Sequence, residues 1–162
     1  MTRSNRLSIV LLFLWTLVLS QQAQQNNDGK TLRVFIFAGR SNMVGSGSKV
    51  KDIKRFPPFA GLEAPQSKVL FSYCIGRQNK MRSDGWVALQ HVNNVVGPEL
   101  SFARKVTQHI KAPIAIIKCA AGGTHLGGDW NPDESIGFKM YPLTLDLIKT
   151  SLADLDKRGI KY

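Results

Sequence analysis

Hydrophobic residues fall into two patterns along the chain. Three short runs are apolar almost without interruption: residues 32–38 (LRVFIFA), 68–75 (KVLFSYCI) and 113–120 (PIAIIKCA). Runs of this length and continuity predict strands covered on both faces. Two longer segments instead repeat apolar positions at helical spacing. In GPELSFARKVTQHI the residues Leu100, Phe102, Ala103, Val106 and Ile110 make one face. Pro98 suits the first turn of that helix and Glu99 its positive end. In YPLTLDLIKTSLADLDKRG the face is Leu143, Leu147, Ile148, Leu152 and Leu155, and Gly159 marks the stop. Strands alternating with helices predict a parallel sheet with helices on both sides.

The first twenty residues follow a different logic. Arg3 and Arg6 precede an apolar run over residues 7–19, and Ser20 supplies a small residue after it. Basic, apolar and small segments in that order predict a signal peptide at 1–20. The run is shorter than the roughly 20 residues a membrane span needs. Cleavage is expected to leave a secreted or periplasmic protein without a membrane segment. Residues 21–30 (QQAQQNNDGK) are polar and aperiodic and are expected to be a disordered lead-in. The folded part is expected over 31–162, which is one domain's worth of chain.

Charge narrows the partners. The 162 residues carry a formal net charge of +11, with basic clusters in KVKDIKRF and GRQNKMR. A nucleic-acid module needs a basic stripe together with a recognisable motif, and neither occurs. Two readings of the charge stay open: a solvated basic surface, or attraction to an acidic polymer such as an anionic polysaccharide. Cys74 and Cys119 both sit inside apolar runs and are expected as buried thiols rather than a bridge. No metal-ligand spacing and no cofactor motif is present.

Candidate chemistry lies where the strands end, since open parallel sheets bind ligands beyond their carboxyl ends. Two loops leave strands there: AGRSNMVG after the first run and AAGGTHLGGDW after the third. Gly39 permits a sharp turn that leaves Ser41 at or near a helix start. An exposed hydroxyl beside backbone N–H groups suits acyl transfer, with Gly122 and Gly123 offering a second donor. Spacing alone also allows Ser41 to be a helix cap. A phosphate-binding loop does not fit, because Gly39 to Lys49 does not read G-x-x-x-x-G-K-[ST].

FAGRSNMVG resembles the serine block GQSNM of the SGNH-hydrolase superfamily, and specifically that of the sialate O-acetylesterase-like enzymes of carbohydrate esterase family 6. VVGPELSFARKV is similar to that family's GPE-SFA helix, and IKCAAGGTHLGGDWNP to its GGTSL block followed by Trp. YPLTLDLIKTSLADL is similar to the helix that comes next. The likeness covers about residues 32–162. It implies a flavodoxin-like three-layer α/β/α sandwich with a parallel sheet, and removal of acetyl groups from carbohydrates. By the same resemblance Ser41 is the nucleophile. The N–H groups of Ser41 and of a glycine in the Gly122–Gly123 pair form part of the oxyanion hole. Arg40, Asn42, Glu99, Thr124, His125 and Trp130 are expected to line the pocket, along with the loop from Lys49 to Arg55.

Departures from the family pattern are as informative. Arg40 replaces the family's Gln beside the nucleophile, either stabilising negative charge or pairing with an acid. His125 replaces the Ser of GGTSL, and is either a polar loop residue or a substitute base. The family's Asp-x-x-His pair, which supplies the base and its orienting acid, occurs nowhere in the sequence. The expectation is therefore the N-terminal part of such a domain. It would hold three strands in the order 2-1-3, leaving the strand at 113–120 as an open edge. The alternative is a protein that binds glycans without turning them over.

Overall fold

The computed structural model describes residues 31–77 and 80–162. The expected signal peptide and lead-in lie outside the described residues. Among the described residues, no helix is long and apolar enough to cross a membrane.

Three long strands are parallel: β1 (Arg33–Gly39), β2 (Gln66–Ile75) and β5 (Ile114–Ala120). Two short strands, β3 (Met81–Arg82) and β4 (Val87–Leu89), pair antiparallel with β2. Helix α1 (Ser41–Val44) follows β1 directly. Helix α2 (Pro98–His109) precedes β5, and α3 (Met140–Lys157) closes the chain. The result is a three-layer α/β sandwich with a mixed, mostly parallel sheet. The expected strands and helices lie within two residues of their predicted bounds.

The strand order corrects one expectation. The sheet runs β1-β5-β2, with β3 and β4 along the outer side of β2. The third apolar run is thus the centre of the sheet, and not an edge. All seven residues of β5 are buried, whereas β1 leaves Ile36 54% exposed. Continuous apolar runs look alike whether central or at an edge, so the pattern did not reveal the order.

Alternation along β5 divides the core in two. Ala115, Ile117 and Cys119 pack with Leu147, Leu155 and Met140 on the α3 side. Ile114 and Ile116 pack with Phe71, Leu100 and Ala103 on the α2 side. Phe102 of α2 stands edge-on to Phe35 and Phe37 of β1, with centroids 4.9 and 5.2 Å away. That geometry suits the ring quadrupoles. Helix α3 is fixed by polar contacts as well. Ser72 and Ser151 hydroxyls meet at 2.8 Å, and Trp86 Nε1 donates to the Ser151 carbonyl at 3.1 Å.

Gly159 ends α3 in the left-handed region, with φ of 66°. Its N–H bonds the Asp156 carbonyl and that of Ile160 bonds Leu155, the paired closure such a glycine permits. The chain then returns to the sheet, where the Leu32 N–H donates to the Lys161 carbonyl at 2.8 Å.

Cys74 and Cys119 stand opposite one another on β2 and β5, buried and unbridged. The Cys119 thiol, hydrogen-bonded to the Cys74 sulfur, pulls Cys74 below an ordinary thiol. The same contact, with burial, pushes Cys119 up.

The strand order makes a direct prediction. Ile116→Ala removes a side chain with no exposure and is expected to cost about 2–5 kcal/mol in urea unfolding. Ile36→Ala is expected to fall within about 0.5 kcal/mol of the parent. Equal losses at the two positions would contradict a central β5.

Candidate active site

Gly39 ends β1 against the side chain of Met43, where a Cβ would come within 2.9 Å of the Met43 Cβ. The chain therefore turns tightly into α1. Arg40 holds the cap position in extended backbone, and Ser41 is the first helical residue. The Arg40 carbonyl accepts from the Val44 N–H, and the Ser41 carbonyl accepts from Gly45 and Ser46. The N–H groups of Ser41 and Asn42 belong to the first turn, ahead of any intrahelical partner. Arg40 makes no side-chain cap bond, and Ser41 does not occupy the capping position.

The second loop begins beside the first. Gly39 is paired in register with Ala120, and the Ala121 N–H donates to the Gly39 carbonyl at 3.1 Å. Ser41 and Gly122 thus leave adjacent strands at one level. Space around the Gly122 Cα is open, and Gly123 takes a φ of 69°. Either glycine leaves its backbone approachable where a side chain would intrude.

Two interactions missed in the sequence shape the glycine loop. Asp129 is buried, and its carboxylate accepts from the His125 N–H at 2.8 Å. Arg77 reaches across from the end of β2, donating to the Gly123 carbonyl at 3.3 Å and to Asp129 at 3.4 Å. An acid four residues after the turn it closes is the signal that GTHLGGD carried. The His125 amide holds the Asp129 carboxyl below the usual carboxylate range, with Arg77 assisting and burial opposing.

The remaining candidates separate by environment. Thr124 is buried, donating to the Ala121 carbonyl and accepting from Trp130 Nε1. Trp130 packs against the α3-side core. His125 is exposed, and its carbonyl accepts from Gly128 and Trp130. Arg40 is exposed too. Asn42 lines a cavity with Lys49 and Arg55 of the basic loop. Glu99, expected at the pocket, is 1% exposed and lies 2.6 Å from Lys118 Nζ, with Lys118 itself 1% exposed. Lys118 Nζ also donates to the Val44 carbonyl at 3.4 Å, at the end of α1. Burial pushes the Lys118 ammonium down from its ordinary value, and Glu99 opposes that.

Among the described residues, no side chain hydrogen-bonds the Ser41 hydroxyl, and no three His, Cys, Asp or Glu side chains gather in a metal-binding group. The arrangement places the Ser41 turn and the Gly122–Gly123 loop at the ends of two adjacent strands.

The profile of a family described as carbohydrate esterase, sialic acid-specific acetylesterase, matches residues 31–161. No curated protein matches the sequence. Among solved structures the chain is similar to an Arabidopsis thaliana protein known from X-ray diffraction at 1.6 Å. Identity is 24% and the TM-score 0.49, over 75% of this chain and 51% of that one. The chain spans about half the length of that solved structure.

Acid titration tests the Asp129 contact. A carboxylate with a lowered folded pKa contributes stability above its unfolded value, about 3.9, and loses it as pH falls through the folded one. The His125 amide resonance is expected to hold its position down to about pH 4 and to move only below it. Asp129→Asn is expected to abolish that transition. A transition at or above the ordinary aspartate range would contradict the contact.

Proposed function

Because the chain belongs to the carbohydrate esterase family of sialic acid-specific acetylesterases, we propose that Ser41 removes acetyl groups from sugars. The observation that carries the reading is the shared strand-end level of Ser41 and Gly122, set by the Gly39–Ala120 register. In this reading the Ser41 Oγ attacks the acetyl carbonyl carbon, and the hydroxyl proton passes to a base. The N–H groups of Ser41 and Gly122 or Gly123 receive the negative oxygen. Collapse breaks the bond to the sugar oxygen, which takes up the proton from the base and leaves as a hydroxyl. Water then cleaves the acetyl-serine to acetate and restores the hydroxyl.

The chemistry needs a general base, worth about 10²- to 10⁴-fold. None of His91, His109 and His125 is hydrogen-bonded to Ser41 among the described residues. This favours a second reading for the 162 residues alone, in which they hold an acetylated glycan without fast turnover. Export, inferred from the basic, apolar and small order of residues 1–20, would place that glycan outside the cytoplasm.

Chemical rescue separates the two. Added imidazole is expected to stimulate p-nitrophenyl acetate hydrolysis by the purified chain well above the rate of imidazole alone, and Ser41→Ala is expected to lose the stimulation. Equal rates in Ser41→Ala and the parent would overturn Ser41 as nucleophile.

A further inference from the structure

A cavity of about 540 Å³ opens beside the Ser41 turn, within the size range of small-ligand sites. Its walls come from the segment after α1, the 3-10 turns Val50–Arg55 and Pro57–Phe59, and the first turn of α2. Asn42, next in sequence to Ser41, lies on the wall, as does Gly45. Gly45 has a φ of 91°, and a Cβ there would run into the Val96 carbonyl oxygen.

The walls are tied down. The Val50 N–H donates to the Asn94 carbonyl and the Val96 N–H to Ser48, each at 3.0 Å. Ile53 and Leu62 are buried in the α2-side core. The Arg104 guanidinium donates to the Pro58 and Ala60 carbonyls. A cavity held this way needs little ordering when a ligand enters.

The walls display two half-exposed rings. Phe56 and Phe59 stay 52% and 43% exposed, with ring centroids 6.5 Å apart. The loop is already anchored by Ile53 and Leu62. Beside the rings lie cations: the Arg55 guanidinium is 6.0 Å from the Phe56 ring centre, and Lys49 lines the cavity. Arg55 reaches Asp52 at 3.6 Å while its side chain stays 74% exposed, so it remains available to a ligand anion. Lys51 and Lys54 add charge on the same turn. An aromatic face next to a guanidinium matches a ring with an apolar face and a carboxylate. Ser48 and Asn42 add partners for hydroxyl groups.

We propose that this cavity is a subsite for a carboxylated sugar unit of an acidic glycan, bound next to the acetylated unit at Ser41. The apolar ring face lies on Phe56 or Phe59, and the carboxylate meets Arg55 and Lys49. The inference deepens the esterase reading, and rests on it only for what occupies Ser41. It makes the substrate a chain of sugars rather than a single one.

Calorimetric titration of the purified chain with an oligogalacturonate, and with a neutral xylo-oligosaccharide of equal length, tests it. Saturable binding of the oligogalacturonate is expected, at least about tenfold tighter than the xylo-oligosaccharide. Arg55→Gln and Phe56→Ala/Phe59→Ala are each expected to weaken it about tenfold at an unchanged unfolding midpoint. Equal affinity for both probes would overturn the carboxylate's role. Loss in Arg55→Gln with none in the phenylalanine variant would reduce the site to charge adsorption and overturn it. No binding would overturn it outright. Intact binding alongside failed chemical rescue would sink the esterase reading and leave the subsite standing.

Discussion

The ion pair between Lys118 and Glu99 is the constraint on which the site depends. Both groups are almost wholly buried, and removing two charges from water is expensive unless each satisfies the other. Lys118 sits on β5, the middle of the sheet, and Glu99 in the first turn of α2. The helix end there favours a carboxylate. Gly97 packs directly over the pair, where a Cβ would overlap both the carboxylate and the ammonium. A proton of the same ammonium reaches the Val44 carbonyl, at the end of the one-turn helix that begins with Ser41. Three elements are thereby registered at one point. Such a pair adds little net stability over a well-packed apolar replacement, so its contribution is better sought in geometry.

From that point the rest of the strand-end surface is set. The α1 turn is pressed between Gly39, which leaves room for Met43, and Gly45, which leaves room for Val96. The glycine loop after β5 lacks a helix to hold it and is held instead by Asp129, Arg77 and the Thr124–Trp130 bond. Two loops of different construction thus meet at the ends of two neighbouring strands. One is fixed from below by a buried charge pair, the other from the side by a carboxylate and a guanidinium.

Much of this was legible in sequence, for physical reasons. Apolar continuity marked β1, β2 and β5, and the 3.6-residue repeat marked α2 and α3. Serine and glycine motifs located both loops. Strand order was not legible, because Ile and Val runs carry no record of their neighbours, and Lys118 inside IAIIKCA gives no sign of being paired. Glu99 was expected at the pocket from the family resemblance, and the helical pattern around it shows no sign of a buried partner. Only the register of β5 against α2 turns it inward. Trp130, expected to line the pocket, packs against the α3-side core. Exposed Phe56 and Phe59 lay in a Pro- and Gly-bearing loop with no periodicity to mark them.

The chain belongs to the carbohydrate esterase family, while the geometry of the site turns on whether the buried pair holds the serine turn. Amide hydrogen exchange on the parent and on Lys118→Met/Glu99→Leu tests this most directly, since the apolar pair keeps the core filled. The account predicts lost protection at the Gly45 and Ser46 amides, both bonded to the Ser41 carbonyl, with β5 amides unchanged. Undiminished protection at Gly45 and Ser46 in the double variant would contradict it.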